Sequence, residues 1–273
     1  MAGVSDDELY RQYETINLYH RGAGAKIELN RPQRMNAWSN QFSLDLLAAI
    51  REVADDPGVR AVVVTGAGRA FSSGADLKEA AERAGGGTVD VYKILTERYH
   101  PLITGVREMP KPVIAAVNGP AAGIGLSLAL ACDLVVAAES AYFQLAFVNI
   151  GLVPDGGSSV LVPSRVGFAR AAELALLGER LDARKALDWG LINHVYPDTE
   201  FADRTAALLD RLASGATKSY AGTKRQLNQW LYQHMDAQLE FEAGIQREMA
   251  ASGDFAEGLA AFAEKRPPRF SGA

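Results

Sequence analysis

Glycine-rich turns and one carboxylate are the parts of this chain best suited to chemistry. The turns are Phe71-Ser72-Ser73-Gly74-Ala75-Asp76, Asn118-Gly119-Pro120-Ala121-Ala122-Gly123-Ile124-Gly125 and Gly151-Leu152-Val153-Pro154-Asp155-Gly156-Gly157. Each follows an apolar, strand-like run, so its backbone N–H groups are free of a sheet ladder and can converge on a developing negative oxygen. Gly123-Ile124-Gly125 opens the helical run Leu126 to Ala131. The first N–H groups of a helix lack intrahelical partners, and its N-terminus carries about half a positive charge. An enolate oxygen at the Ile124 N–H gains from both effects, and losing one such donor typically costs about 3 kcal/mol in rate terms. The plainer reading is that the glycines only permit tight packing.

Other motifs fall short of their templates. Thr65-Gly66-Ala67-Gly68 resembles a dinucleotide-binding turn, but Phe71 stands where the third glycine belongs and no acidic residue closes the next strand. Gly125-Leu126-Ser127-Leu128-Ala129 resembles a nucleophile elbow, yet lacks the closing glycine and runs on into a helix. None of the histidines, His20, His100, His194 and His234, stands near an Asp or Ser in a triad-like pattern. The single cysteine, Cys132, lies in an apolar run without metal-ligand neighbours and reads as a buried thiol.

The elements that must position the turns read as α/β. Val- and Ile-rich runs at Lys26 to Leu29, Val59 to Thr65, Val113 to Asn118, Leu134 to Ala138 and Leu191 to Tyr196 predict strands. Ser43 to Val53, with Leu44, Leu47, Ile50 and Val53 at helical spacing, and Val166 to Leu177, closing on Gly178, predict helices between them. After residue 197 the strand signal ends. Thr199 to Leu212, Thr217 to Tyr232, Met235 to Ala250 and Asp254 to Glu264 read as helices before Pro267-Pro268. Gly85-Gly86-Gly87-Thr88 reads as a mobile loop or a solvated connection, and no internal repeat is present.

Composition sets outer bounds. The 273 residues, 48% hydrophobic and 22% charged, suit one large globular domain or two small ones. A net charge of −5, with Lys and Arg scattered, offers no field for nucleic acid. The polar, acidic segment Met1 to Glu14 has neither signal- nor transit-peptide character, and no apolar stretch reaches transmembrane length. The C-terminal residues are not the Ser-Lys-Leu peroxisomal address, so a cytoplasmic protein without membrane contact is expected.

Taken in order, several segments resemble the enoyl-CoA hydratase/isomerase, or crotonase, superfamily from about residue 14 to residue 270. They are Asn30-Arg31-Pro32 with Asn36-Ala37, Ala70 to Lys78, Lys111 to Gly119, Ala131-Cys132-Asp133-Leu134, Ile150 to Pro154, and Phe262-Ala263-Glu264-Lys265-Arg266. The resemblance implies a ββα spiral core over residues 1–197 and a helical C-terminal trimerisation region over 198–273, assembled as a homotrimer or dimer of trimers. It implies an acyl-CoA substrate, no permanently bound cofactor and no metal. By the same resemblance the thioester carbonyl is held by the N–H groups of Ala75 and Ile124. The CoA moiety lies along Arg34, Met35, Ala37, Ser73, Asp76, Leu77 and Lys78, completed by Phe262 and Lys265 of the same or a neighbouring subunit. Arg34 and Lys78 are phosphate partners in that reading, or simply a solvated face. Ile124 stands where many relatives have glycine, and its branched side chain is expected to narrow or reshape the acyl pocket.

The departures fall on the acid/base groups. The two glutamates of typical hydratases are replaced by Ser127 and Phe147. A phenylalanine transfers no proton, and a serine without a base is a poor acid. What remains is Asp155, in a Phe-x-x-Ile-Gly-Leu-Val-Pro-Asp-x-Gly pattern similar to the phenylacetate-pathway ring-expanding isomerases and the 3,2-enoyl-CoA isomerases. An apolar pocket containing Phe143, Phe147 and Val148 is expected to raise its pKa; alternatively Asp155 caps a turn or helix. Three functions stay open: an isomerase using Asp155, a hydratase using Asp155 with Ser127, and a noncatalytic acyl-CoA-binding protein.

Overall fold

The computed structural model describes residues 7–79 and 90–273, so the expected Gly85-Gly86-Gly87-Thr88 loop lies outside the described residues. Seven strands form the main sheet in the order β1-β2-β3-β4-β5-β7-β10. They are β1 (Glu8–Gln12), β2 (Ile16–Arg21), β3 (Gly24–Leu29), β4 (Ala61–Gly66), β5 (Val113–Val117), β7 (Leu134–Ala138) and β10 (His194–Tyr196). Strands β1 to β3 pair antiparallel; β3, β4, β5, β7 and β10 run parallel. A small second sheet joins β6 (Ala121–Ala122), β8 (Tyr142–Gln144) and β9 (Leu181–Asp182).

The continuous apolar character of β4 and β5 has a direct cause: both faces are covered. Val62, Val64, Ala115 and Val117 face the main core, whereas Ala61, Val63, Ile114 and Ala116 face a second cluster with Leu209 and Ala213. The main core is packed by α1 (Asn40–Asp55), α2 (His100–Glu108) and α3 (Ile124–Ala131). A helical lead-in, Val91–Ile94, and a wider π turn, Leu95–Tyr99, precede α2. Helices α4 (Ser158–Leu161), α5 (Pro163–Leu177) and α6 (Ala183–Asp188) precede β10, and α7 (Phe201–Ala213), α8 (Thr217–Leu231), α9 (Met235–Ala250) and α10 (Gly253–Glu264) follow it. Helix α7 supplies Leu209 and Ala213 to the second cluster, closing the sheet's other face.

Two expectations change. The buried stripe of α1 is Phe42, Leu46, Ala49, Ile50 and Val53, and Leu44 is exposed. Ser39 caps the helix earlier than expected, accepting the Phe42 N–H at 3.1 Å, which brings Phe42 into the inward stripe. Strands β1 and β2 were not among the expected strands; β1 is an edge strand with both faces largely exposed and so shows no alternation. Cys132 is buried as expected, and burial pushes its thiol up to about 12.

A buried ionic network ties α8 to the sheet. Lys224 Nζ donates to Asp133 Oδ2 at 2.9 Å and to the Val106 carbonyl at 2.8 Å, while Arg107 approaches Asp133 Oδ1 at 3.5 Å. The Lys224 pKa is lowered by burial, opposed by Asp133. Asp133 also accepts the Val113 N–H at 2.8 Å, so the same carboxylate fixes the start of β5 and the inner face of α8.

Candidate active site

The first two glycine turns meet. Ser72 donates its N–H to the Pro120 carbonyl at 3.0 Å, and Ala122 returns an N–H to the Ser72 carbonyl at 2.9 Å. Gly74, at φ +90°, leaves no room for a side chain, since a Cβ there would lie 2.9 Å from the Ala122 carbonyl oxygen. Gly125 likewise lets α3 approach until a Cβ would stand 2.6 Å from that of Ser72. The Ser72 hydroxyl donates to the Asn36 carbonyl at 2.9 Å, and the Asn36 amide donates to the Ala67 and Ala70 carbonyls. This lattice leaves two N–H groups without a partner: among the described residues neither Ala75 nor Ile124 donates its backbone N–H. Ile124 is the first residue of α3, so its N–H belongs to the positive end of that helix.

Asp155 stands beside them. Two cavities, of about 550 Å³ and about 300 Å³, share Ala75, Leu77, Tyr99, Leu152 and Asp155 in their walls, and Ile124 lines the smaller. The carboxylate is 5% exposed; its Oδ2 accepts from Gln246 Nε2 at 2.8 Å, and its Oδ1 is buried with no hydrogen bond. Burial, then the nearby Glu242 charge, pushes the Asp155 pKa up to about 8, against the opposing Gln246 bond. The carboxylate caps no helix. That task falls to Glu242, which accepts the Gly157 N–H at 2.7 Å, the Ser159 N–H at 3.0 Å and the Ser159 hydroxyl. The Glu242 pKa is itself raised by burial, opposed by these bonds.

The surroundings of Asp155 differ from the expected ones. Phe147 lines the smaller cavity, but Phe143 sits in the core on β8, and Val148 lies against Gly178, where a Cβ would be 2.7 Å from its methyl. Tyr99 and Leu152 supply the apolar wall instead. Tyr99 is buried and its pKa is raised, first by burial and then by the Asp155 charge. Ile124 is 2% exposed, and its Cδ1 lies where a Cβ on Gly156 would come within 2.3 Å, so its branch supports the Asp155 turn. Ser127 donates its hydroxyl to the Asp155 main-chain carbonyl at 2.9 Å. That hydroxyl holds the turn and is not presented to the cavity.

Of the expected CoA contacts, Ser73, Leu77 and Phe262 line the smaller cavity, and Asp76 and Leu77 the larger. The Asp76 carboxylate is engaged by Arg31 at 3.1 Å and by the Glu79 N–H at 3.3 Å. Met35, at φ 50°, receives the Ser73 N–H on its carbonyl at 3.0 Å, and Ala37 is buried beside it. Arg34, Lys78 and Lys265 are exposed, and with Met35 and Ala37 they line neither cavity. Tyr99, Glu242 and Gln246 were not singled out from the sequence. The last two, with Gln238, form an every-fourth-residue polar stripe on α9, but only the fold reveals which turn that stripe meets.

Two backbone N–H groups without partners, one buried carboxylate and a largely apolar cavity together suit acyl-thioester enolate chemistry. The model of the family described as enoyl-CoA hydratase/isomerase matches residues 21–273, and the chain belongs to that family, within the crotonase superfamily. It is 42% identical over 260 residues to a protein of Rhodobacter capsulatus described as "Probable enoyl-CoA hydratase", covering 95% of this chain and 99% of the relative. It is 40% identical over 246 residues to the 1,2-epoxyphenylacetyl-CoA isomerase of Escherichia coli, covering 90% of this chain and 94% of the relative. The crystal structure of an enoyl-CoA hydratase from Mycobacterium avium subsp. paratuberculosis superposes with a TM-score of 0.86 at 39% identity, over 95% of this chain and 100% of that one. Among the described residues, no helix is long and apolar enough to cross a membrane.

Proposed function

We propose that this chain is an acyl-CoA isomerase in which Asp155 alone moves the proton. The observation carrying this reading is a buried carboxylate with one unbonded oxygen, on the same cavity wall as the free Ala75 and Ile124 N–H groups. In a 3-to-2 double-bond shift, the Asp155 carboxylate takes the proton from C2, and the two N–H groups hold the enolate oxygen. The protonated carboxyl then gives the proton to C4, so substrate and product have the same atoms and no water is consumed. Water addition across the double bond calls for a second acid/base group; of the two positions that are glutamates in typical hydratases, Ser127 is occupied at the Asp155 carbonyl and Phe147 carries no proton. The aromatic pair Trp38 and Tyr99, edge to face at 5.1 Å, lines the larger cavity and supports an aryl acyl group, for which rearrangement of an epoxide-bearing arylacetyl-CoA is the corresponding reaction.

In this reading the CoA portion runs past Ser73, Leu77, Phe262 and the main chain at Asp76, with Arg34, Met35, Ala37, Lys78 and Lys265 at its phosphate-bearing end. Residues 198–273 form the trimerisation region. Exposed Leu227, Trp230 and Leu231 in that region, with exposed Phe168, Leu176 and Leu177 on α5 outside it, are the faces that a homotrimer or dimer of trimers covers. Light scattering behind size-exclusion chromatography checks this, and a monomer at working concentration contradicts it.

The purified protein should conjugate a 3-enoyl-CoA and leave a 2-enoyl-CoA unhydrated. Its kcat/KM should rise with pH, because the reacting form is the carboxylate and a carboxyl with a pKa of about 8 is protonated below that value. A profile that is flat from about pH 6 to about pH 9 contradicts Asp155 as the base. Hydration of the 2-enoyl thioester favours the hydratase reading. Thioester binding with no turnover of either enoyl compound or of the epoxyphenylacetyl thioester favours a binding protein.

A further inference from the structure

The two oxygens of Asp155 are not equivalent, and the difference is made by a side chain 91 residues away in sequence. Gln246 is 1% exposed and all its amide bonds fall on one short segment. Its Oε1 accepts the Val153 N–H at 3.1 Å; its Nε2 donates to the Val153 carbonyl at 3.1 Å and to Asp155 Oδ2 at 2.8 Å. The amide thus grips the main chain two residues before the carboxylate and the carboxylate itself. One helical turn earlier, Glu242 grips the main chain after it, through Gly157 and Ser159, and one turn before that Gln238 donates to the Ser159 hydroxyl at 3.0 Å. Residues at this spacing share one helix face, so α9 holds both sides of the reacting turn with a single polar stripe.

We propose that Gln246 is the positioning residue that assigns the two Asp155 oxygens different tasks, fixing Oδ2 and leaving Oδ1 to exchange the substrate proton. This inference rests on the reading of Asp155 as the acid/base. The proton passes from C2 to Oδ1 and from Oδ1 to C4, while Oδ2 keeps its bond to the Gln246 amide throughout. A carboxylate free to rotate would present either oxygen in many directions, and a loss of reacting geometry of about 1 Å costs about 100-fold in rate. The ionisable groups acting on or facing Asp155 are Glu242 on α9 and Tyr99 on the Leu95–Tyr99 turn, with Asp76, Glu79 and Arg98 in the wall of the larger cavity; α3 contributes Ile124 and Ser127.

The test compares Gln246→Met, Gln246→Glu, Asp155→Asn and the Gln246→Met/Asp155→Asn pair in the full-length protein, with melting temperature recorded for each. Gln246→Met should lower kcat by about 100-fold with KM changed less than about threefold. Its kcat/KM rise should move to higher pH, because a bond favouring the charged form is gone. Gln246→Glu keeps the side-chain shape and an acceptor for the Val153 N–H, and it should move the rise further up by setting a second carboxylate against Oδ2. A support that matters only for folding would lower the melting temperature and leave the pH rise in place. The pair should lose no more turnover than Asp155→Asn alone. Unchanged kcat and pH profile in both Gln246 variants, beside an inactive Asp155→Asn protein, overturns the positioning role alone. Retained turnover in Asp155→Asn overturns the base assignment and this inference with it.

Discussion

Asp155→Asn protein should turn over 3-enoyl-CoA about 10⁴-fold more slowly than wild type, bind the thioester with nearly unchanged affinity, and melt at a higher temperature above pH 8. The rate loss follows from removing the buried carboxylate proposed to carry the proton both ways, at the upper end of what one acid/base residue contributes. Affinity should persist because the Ala75 and Ile124 N–H groups and the apolar walls are untouched. The gain in stability has the opposite origin. The carboxyl pKa rises from 3.8 to about 8 on folding, so the native state binds this proton more tightly than the unfolded chain does. Stability from this group is therefore full below pH 3.8 and is lost as pH rises towards 8. An amide has no proton to lose, and above that window the variant should be the more stable of the two, by several degrees in melting temperature. Isothermal titration with a non-reacting thioester, steady-state kinetics and thermal melts at two pH values measure all three effects. A variant that is both inactive and less stable at alkaline pH contradicts the account of a buried, uncompensated charge.

Gly74→Ala should cut kcat by about 100-fold through geometry alone. The new methyl would stand 2.9 Å from the Ala122 carbonyl oxygen and 3.7 Å from the Gly123 Cα, with φ at +90°, so the two turns must part. Parting them separates the Ala75 N–H from the Ile124 N–H, and misplacing one oxyanion donor costs about 10²- to 10³-fold. Gly22→Ala is the matched control. Gly22 also has a positive φ, +54°, but a methyl there meets nothing within 4 Å, and Gly22 lines neither cavity. It should lose about 1 kcal/mol of stability and keep wild-type kinetics. Equal kinetic losses in the two variants would mean that backbone strain, not the cradle, sets the rate.

The parts of the fold that were legible in the sequence are those with covered faces. β5 and β7 were readable because burial on both sides leaves unbroken apolar runs, and α8, α9 and α10 because their bounds carry helix signals. β1 was silent because its exposed faces impose no pattern, and the two-residue strands β6 and β9 are too short to show one. In the site, Gly74, Gly123 and Asp155 were legible because backbone requirements and a lone carboxylate are local properties. The Asp155 environment was not. Phe143 and Val148 are near it in sequence but turn elsewhere, whereas Tyr99, Glu242 and Gln246 reach it only once the helices are folded back over the turn.

The apolar walls of the larger cavity, among them Val91, Ile94, Leu95, Phe255 and Leu259, belong to segments that make none of the hydrogen bonds fixing Asp155, which come from Ser127, Ser158 and Gln246. Selection can therefore reshape the room for the acyl group by small steps without disturbing the reacting turn. In such an architecture, the size of the acyl group and the placement of the carboxylate can change independently of one another.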